Sequence, residues 1–470
     1  MQPGTLPDQP TTQPGAFAES EDGRQLLVAG RGEPPLRAGD LVTIEIDGDQ
    51  VIGQLTGRRA SDGVTGGLVL GVVARGGSAL RVGPGPVFGP TPVAAASDAD
   101  LAVLQGEVAI PLPIGTWTTG QVTVPAVMDG AAFNRHTFLC GQSGSGKTYA
   151  LGLVLERLLA ETDLRIVVAD PNSDFVHVDE PSGLAEPGQL ERMLRHGPNI
   201  LGADATGRAP LRMRFTALPR AAKAAVLRLD PLADRDEYDL FIELGSADQT
   251  QAVDALVARL RAGDAREQRL AQRIGNLGLE DWEVWAGQTP AVTEVVGQGP
   301  GLTVLDLASF ADPVEPVAVM LALVEDLWAR RTERIPTLLV IDEAHNLCPA
   351  HPEGPVQVAL VERLVQIAAE GRKYGLWLLL STQRPSKIHP QVLSQCDNLM
   401  LMRMNSGEDV DELARTFGFA PRELVAGAVT FRQGEMLAAG RITPVPSVFR
   451  MGDRWTRQGG SDVSVPAAGR

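Results

Sequence analysis

The sequence predicts an α/β protein built on a parallel β-sheet, with a small β-barrel before the sheet and a helical subdomain inserted into it. Three observations lead to this prediction. Apolar strand-like runs alternate with helical patterns from residue 137 onward. A glycine-rich loop of the phosphate-binding pattern, residues 141–148, follows the first of these runs. Residues 37–124 contain short β-branched runs that are separated by glycine turns, without helical patterns between them.

The β-barrel is expected between residues 35 and 125. Before it, residues 1–34 are rich in Pro and polar side chains, at least over the first 20, and are expected to form a disordered N-terminal arm. Asp47, Gly48 and Asp49 give a hairpin turn signal between the first two strands. The expected barrel strands are residues 41–46, 51–55, 68–73, 108–110 and 122–124.

The parallel sheet is expected in two parts, residues 126–216 and 288–453. Between them, residues 217–287 show long helical patterns and predict the inserted helical subdomain. Residues 454–470 return to Gly, Ser and Pro and are expected to form a C-terminal arm. The expected buried strands of the sheet are residues 137–140, 164–169, 302–306, 337–342, 376–381 and 398–403.

Residues 141–148 read GQSGSGKT and lie between an expected strand and an expected helix, which is the context that a phosphate-binding loop requires. Backbone N–H groups of such a loop point at the phosphates. Lys147 is placed to reach the outer phosphates, and the Thr148 hydroxyl to hold Mg²⁺. The expected nucleotide-binding residues of the loop are Gly141, Ser143, Gly144, Ser145, Gly146, Lys147 and Thr148. The sequence therefore predicts binding of a nucleoside triphosphate.

Two carboxylates, Asp342 and Glu343, end the apolar run at residues 338–341. Asp342 is expected to hold Mg²⁺ through its water shell, and Glu343 to orient and polarise the attacking water. Two expected strands separate the phosphate loop from this pair, an order that favours ATPases with an additional strand and a catalytic Glu over GTPases and kinases. The sequence contains no Asn-Lys-x-Asp motif for reading guanine. ATP is therefore the expected substrate.

Two further residues are candidates for catalysis. Gln383 follows the expected strand 376–381 and is placed to sense the γ-phosphate or the water, although a polar residue there also caps a strand end. Arg372 lies in a bend between Gly371 and Gly375, where it can reach the γ-phosphate of a neighbouring subunit. The alternative for Arg372 is a cation that neutralises the end of the preceding helix.

The formal net charge of −16 argues against a simple nucleic-acid-binding domain, which is usually basic, but not against a ring with basic residues in its channel. Neither a secretion signal nor a membrane-spanning run is visible, so a cytoplasmic protein is expected. Basic clusters that are candidates for DNA contact, and equally for solvated surface charges, are Arg192, Arg195 and His196, and Arg208, Arg212 and Arg214.

Together these motifs resemble those of the HerA-type ATPases in the HerA/FtsK superfamily. The most specific string is GRKYGLWLLLSTQRPSKI at residues 371–388. The other strings that carry the resemblance are Arg135-His136, GQSGSGKT at 141–148, Asp170-Pro171 and LLVIDEAHN at 338–346. The resemblance extends from about residue 35 to about residue 450 and includes a region similar to the N-terminal HAS barrel of the family.

The resemblance implies a RecA-like core with ATP and Mg²⁺ as cofactors. It implies a homohexamer whose ATP sites lie between subunits and whose pore translocates double-stranded DNA. It also implies a partner protein, either a NurA-like nuclease in DNA-end processing or an effector in antiphage defence, and no membrane.

By position, the resemblance makes Lys147 a phosphate-binding and catalytic residue, Arg372 the arginine that acts on the neighbouring subunit, and Gln383 the sensor. The family often reads Asp-Pro-His-Gly-Glu-Tyr where this chain reads Asp-Pro-Asn-Ser-Asp-Phe at residues 170–175. Asp174 keeps the carboxylate of that Glu, one methylene shorter, and is a further candidate for nucleotide binding.

Two functions are compatible with these features. The first is an ATP-driven translocase that moves double-stranded DNA through a ring. The second is a nucleotide-stabilised scaffold ring that assembles and regulates a partner nuclease or effector without processive movement, which the strong acidity of the chain favours. A conjugative or packaging ATPase on a membrane complex is a weaker third possibility.

Overall fold

The computed structural model describes residues 15–30, 36–58, 64–244 and 253–459 of the chain. Its strands form two sheets. The first sheet contains β1 Phe17–Ser20, β2 Gln25–Ala29, β3 Leu41–Ile46, β4 Asp49–Arg58, β5 Thr65–Val73, β6 Leu80–Val82 and β7 Phe88–Ala95.

The first sheet closes into the predicted small barrel. Its strands run in the order β2-β1-β7-β3-β4-β5, and residues 65–68 of β5 pair back with β2, so that six strands complete the ring. β6 pairs with residues 71–73 of β5, beyond the pairing with β2. All of these pairings are antiparallel. Alternate side chains of each strand point inward, and residues such as Leu26, Ile44, Val51 and Leu55 fill the interior.

The second sheet carries the predicted parallel core. Its strands are β8 Pro111–Thr119, β9 Val122–Asp129, β10 Thr137–Cys140, β11 Arg165–Asp170, β12 Asn199–Gly202, β13 Ala209–Pro210, β14 Gly301–Asp306, β15 Thr337–Ile341, β16 Leu376–Thr382, β17 Asn398–Leu401, β18 Glu435–Gly440 and β19 Ser447–Met451. The strand order is β13-β12-β14-β11-β15-β16-β10-β17-β18-β19-β8-β9. The pairings are parallel from β13 to β17 and antiparallel from β17 to β9.

Helices cover both faces of this sheet. They are α1 Asp98–Gln105, α2 Lys147–Glu161, α3 Pro187–Leu194, α4 Arg220–Val226, α5 Arg235–Leu244, α6 Val253–Arg261, α7 Ala265–Asn276, α8 Val292–Val296, α9 Val314–Ala329, α10 Gly354–Glu370, α11 Pro390–Leu393, α12 Gly407–Thr416 and α13 Arg422–Ala426. Within the described part of the chain, no helix is both long and apolar enough to cross a membrane.

Strand β11 shows how the two faces are divided. Ile166 and Val168 belong to the apolar cluster that contains α2, whereas Val167 and Ala169 belong to the cluster that contains α9 and α10. Both faces are therefore buried, which explains why the core strands are continuous apolar runs instead of alternating ones. Helices α4 to α7 of the inserted region belong to the α9 and α10 cluster, so they pack against the core as one continuous interior.

The barrel boundaries predicted from the sequence are wrong at both ends. β1 and β2 lie in the segment expected to be a disordered arm, because Ala18, Leu26 and Val28 alternate with exposed residues and supply part of the barrel interior. The remainder of that segment, residues 1–14 and 31–34, is outside the described residues. At the other end the barrel stops at Ala95, where α1 follows with Ser97 as its N-cap.

Residues 108–110, expected as a barrel strand, have no regular secondary structure, and residues 122–124 belong to β9. Strands β8 and β9 join the second sheet, since β8 pairs with β19. The expected C-terminal arm also differs: residues 454–456 bond to Glu156 of α2, and residues 460–470 are outside the described residues. In each case a long-range partner decides the structure.

Candidate active site

The phosphate loop, residues 141–148, joins β10 to α2. Gly144 and Gly146 have positive φ values of 74° and 95°, which favour glycine. A Cβ at Gly141 would lie 2.7 Å from the Ser145 Oγ atom, so this position has no room for a side chain. The loop therefore needs its glycines both for backbone direction and for close packing, and it presents the N-terminus of α2 to a cleft.

The cleft in front of this loop has a volume of about 500 Å³. Of the predicted nucleotide-binding residues, Ser143, Gly144, Gly146, Lys147 and Thr148 line it, as does Gln383. The predicted residues Gly141 and Ser145 are buried behind them. Lining residues that sequence reasoning did not single out are Gln142, Tyr149, Gln433, Gly434 and Gln458.

Strand order brings the predicted catalytic residues together. β16 lies between β10 and β15, so the phosphate loop and the Asp342–Glu343 pair flank the end of β16. This agrees with the expected additional strand between the loop strand and the carboxylate strand. Because the three strands are parallel, their carboxyl ends lie at the same edge of the sheet.

Lys147 is the centre of a buried cluster. Its Nζ atom lies 2.7 Å from Asp342 Oδ1, 3.0 Å from Glu343 Oε1 and 3.0 Å from Ser381 Oγ. Burial opposes the charge of Lys147, but the two carboxylates outweigh it and raise the pKa of the ammonium group above its usual value. Lys147 is therefore a cation whenever the protein is folded near neutral pH.

Glu343 is held in a constrained position. Its φ of 41° is unusual for a residue other than glycine, and such backbone conformations cost about 1–3 kcal/mol. Gln383 donates a hydrogen bond from Nε2 to Glu343 Oε1 at 2.8 Å. His345 lies 3.4 Å from Glu343 Oε2 and bonds the Thr382 hydroxyl at 3.0 Å. Lys147 and Gln383 thus hold Oε1 of Glu343, whereas Oε2 lies near His345 but accepts no hydrogen bond among the described residues.

The Asp342 carboxylate suits a magnesium site. Ser381 donates a hydrogen bond to Asp342 Oδ1 at 2.6 Å, while the buried Oδ2 atom has no hydrogen-bond partner among the described residues. A buried carboxylate oxygen of this kind needs a cation or water to satisfy it. Oxygen donors are the ligands that Mg²⁺ prefers. Asp342 and the Thr148 hydroxyl, which lines the same cleft, therefore fit the predicted metal.

A second acidic loop follows β11. Asp170 accepts hydrogen bonds from the backbone N–H groups of Asn172, Asp174 and Phe175. Burial, only partly offset by these donors, raises the pKa of Asp170 to about 7. Burial and the nearby charge of Asp342 raise the pKa of Asp174 to about 6. The charges of the Lys147 cluster therefore act on Asp174, but Asp174 does not line the cleft. Its predicted contact with nucleotide stays a prediction.

Comparison with known proteins finds similar sequences among the HerA-type helicases. The family model for the central domain of helicase HerA matches residues 112–273. A probable DNA double-strand break repair helicase HerA of Methanocaldococcus jannaschii is 30% identical over 130 residues, which are 28% of this chain and 25% of the relative. The matched part of the chain is therefore similar to the HerA-type ATPases.

Two further comparisons support the HerA/FtsK-type fold over most of the chain. The DNA double-strand break repair helicase HerA of Pyrococcus furiosus is 19% identical over 399 residues, 71% of this chain and 69% of the relative. VirB4 of Thermoanaerobacter pseudethanolicus has a similar structure, with a TM-score of 0.51 and 16% identity over 74% of this chain and 97% of that chain. The chain matches only about a quarter of the length of the M. jannaschii relative.

Arg372 lies far from the cleft of the same chain. It precedes β16, whose seven residues span about 20 Å, whereas the cleft lies at the other end of that strand. The Arg372 side chain is 53% exposed and pairs with Asp397 at 2.9 Å. Gly375 has a positive φ of 79°, whereas Gly371, which caps the end of α10, is right-handed. Arg372 therefore lies at the edge of the sheet opposite to the cleft.

The two basic clusters considered for DNA contact are neutralised within the chain. Arg192 pairs with Glu161, and Arg195 with Asp163. In the other cluster Arg208 pairs with Asp306, and Arg212 and Arg214 likewise have acidic partners. The sequence pattern did not reveal these partners, because in most pairs the acidic residue is far from the arginine along the chain. Structural pairing accounts for both clusters.

Proposed function

We propose that this chain hydrolyses ATP and uses the energy to move along double-stranded DNA as a homohexameric ring. The observation that carries the proposal is the convergence of Lys147, Asp342, Glu343 and Gln383 at one sheet edge in front of the phosphate loop. A binding protein needs the loop alone, whereas a carboxylate held by Lys147 and Gln383, which both line the cleft, suits hydrolysis.

Binding begins with an exchange of partners at Lys147. A γ-phosphate in the cleft competes with Asp342 and Glu343 for the ammonium group, since phosphate oxygens and carboxylates are both anionic acceptors. Thr148 and Asp342 would hold Mg²⁺, which neutralises phosphate charge when it is bound. Glu343, released from Lys147 but still bonded to Gln383, is then free to take a proton from the attacking water.

The position of Arg372 supports an assembly with shared sites. At the opposite edge of the sheet it cannot reach the phosphates in its own cleft, and its exposed guanidinium is available to a neighbouring subunit. An arginine supplied by a neighbour stabilises charge in phosphoryl transfer and accelerates it about 10³- to 10⁵-fold. We propose a ring in which each subunit completes the next one's site, with six subunits by analogy with the HerA-type relatives.

The DNA substrate is proposed from the relatives. Both HerA relatives described above are named as DNA double-strand break repair helicases. We propose that this chain, too, acts on duplex DNA and that it is therefore cytoplasmic. We propose a NurA-like nuclease or a defence effector as its partner. The scaffold ring that regulates such a partner remains the competing function.

A triplex-displacement assay tests the proposal. The wild-type protein, given ATP and a duplex that carries a fluorescent third strand, is expected to displace that strand, whereas Glu343→Gln is expected to bind ATP without displacing it. ATP turnover is measured in parallel without DNA, with single strands and with duplex. Turnover that is unaffected by duplex, together with no displacement, would favour the scaffold ring. A wild-type protein that does not hydrolyse ATP under any condition would refute both motor and mechanism.

A further inference from the structure

The segment that we call the C-terminal strap, residues 453–459, is fastened to the helix that follows the phosphate loop. Glu156 of α2 is fully buried, and its carboxylate accepts four hydrogen bonds from the strap. The donors are Arg454 Nε at 3.1 Å, the Trp455 N–H at 2.8 Å, the Thr456 N–H at 3.1 Å and the Thr456 hydroxyl at 2.7 Å. A buried carboxylate with this many donors fixes the strap in one position.

The sequence of α2 makes room for this attachment. A Cβ at Gly152 would lie 2.3 Å from the Cζ atom of Arg454, so only glycine leaves space for the buried guanidinium. Arg157, next to Glu156, stacks over the Trp455 ring at 3.7 Å and donates to the Asp453 carbonyl. Glycine in a helix interior is otherwise unfavourable. Its presence here is explained by the strap.

The strap continues from this anchor to the nucleotide cleft. The Arg454 N–H donates to the Tyr149 hydroxyl at 2.8 Å, and Tyr149 lines the cleft. At the far end the Gly459 N–H donates to the Asp174 carbonyl at 3.0 Å, and a Cβ at Gly459 would collide with the Ser173 carbonyl. Gln458 therefore lies between two fixed points, and it lines the cleft.

The cleft has two chemically different groups of lining residues. The phosphate loop, with Lys147 and Thr148, provides amide N–H groups and a cation for the phosphates. Outside the loop, and apart from Gln383 on Glu343, the lining side chains are Tyr149, Gln433 and Gln458. Because the loop holds the phosphates, these three side chains are left for the ribose and the base. Two of them are amides and none is charged.

We propose that Gln458 is a specificity-determining residue that recognises adenine, and that the Glu156 anchor positions it. This inference rests on the proposed nucleotide binding and specifies its base. An amide side chain donates one hydrogen bond and accepts another, which matches the N6 amino group and N7 acceptor of adenine; guanine presents two acceptors, O6 and N7, at the same edge. A good bidentate pair of this kind is worth about tenfold or more in discrimination.

Isothermal titration calorimetry with Mg-ADP and with Mg-GDP tests this without hydrolysis. The wild-type protein is expected to bind ADP at least about tenfold more tightly than GDP. Gln458→Leu, which keeps the size and removes the amide, is expected to lose most of that preference by weakening ADP. Thr456→Val, which removes one donor to Glu156, is expected to reduce the preference through the strap. Arg457→Ala is the matched control, because Arg457 adjoins Gln458 but pairs with Glu180 on the surface.

The outcomes separate this inference from the proposed function. If the wild-type protein binds ADP but Gln458→Leu keeps the full preference, or if Gln433→Leu is the variant that loses it, the role of Gln458 is refuted while nucleotide binding stands. If the wild-type protein binds neither nucleotide, the proposed function fails as well. Thermal unfolding of Thr456→Val shows whether the fold persists; a folded variant with unchanged preference refutes the positioning role of the Glu156 anchor.

Discussion

The Nε2 atom of Gln383 lies 2.8 Å from Glu343 Oε1, the same oxygen that Lys147 approaches to 3.0 Å. One carboxylate oxygen therefore receives both the phosphate-binding lysine and the amide at the end of the neighbouring strand. If a bound phosphate moves Lys147 away from Glu343 Oε1, Gln383 becomes the remaining contact of that oxygen. We expect this shared oxygen to link nucleotide binding to the orientation of Glu343, the proposed catalytic carboxylate.

Glu343→Gln is expected to separate binding from turnover. Removing the proposed general base should lower the ATP turnover rate about 10²- to 10⁴-fold. ATP affinity should be equal to that of the wild type or tighter, because glutamine no longer competes as an anion for Lys147. Turnover by phosphate release and affinity by calorimetry check this. Glu362→Gln on the exposed face of α10 is the control, and it should match the wild type in both.

Gln383→Ala is expected to slow hydrolysis with little effect on affinity. The variant loses one hydrogen bond to Glu343, which corresponds to about a three- to tenfold decrease in turnover. Single-turnover measurement of ATP cleavage at saturating ATP isolates this step from binding and release. An unchanged cleavage rate in the variant would mean that Gln383 only completes the strand end.

Stability is expected to depend on pH through Asp174. The folded-state pKa of about 6 is raised above the unfolded value of about 4, so the folded protein holds the proton more tightly. The contribution to stability is fully present below about pH 4 and is lost as pH rises through about 6. Asp174→Asn, which cannot titrate, should therefore gain melting temperature relative to the wild type across this interval.

Melting curves of both proteins over this pH range check the prediction. Asp179→Asn, an exposed neighbour, serves as the control and should show a constant offset from the wild type. The same constant offset for Asp174→Asn would contradict a raised pKa at that position.

The core of the fold could be predicted from the sequence because its signals are local. Continuous apolar runs predicted the strands β10, β11 and β14 to β17, and the glycines before Lys147 predicted the phosphate loop. The barrel strands β1 and β2 could not be assigned, since they are short and their partners β5 and β7 lie far along the chain. Strands β8 and β9 show barrel-like alternation, and only their pairing with β19 places them in the other sheet.

The candidate site shows the same division. Lys147, Asp342 and Glu343 belong to motifs, and the structure brings them together as expected. Gln458 and Glu156 belong to no motif, and their importance depends on a strap that returns to α2 across about 300 residues of sequence. A buried Glu in an otherwise apolar helix was the available sequence signal, since such a residue requires a partner.

We propose that Arg372 completes the site of another subunit, and mixing two inactive variants tests this proposal most directly. Lys147→Ala lacks the phosphate ligand, and Arg372→Ala lacks the neighbour's arginine, whose loss should cost about 10³- to 10⁵-fold in rate. Each variant alone should be nearly inactive, whereas Lys373→Ala, the adjacent control, should remain active.

The two inactive variants carry different affinity tags and are co-expressed, so that tandem purification yields rings that contain both. The ATP turnover of these mixed rings is then compared with that of each variant alone. Interfaces that combine Lys147 of one subunit with Arg372 of the other are intact, so the mixed rings should recover a substantial part of wild-type turnover. Mixed rings that are no more active than the separate variants would contradict the account.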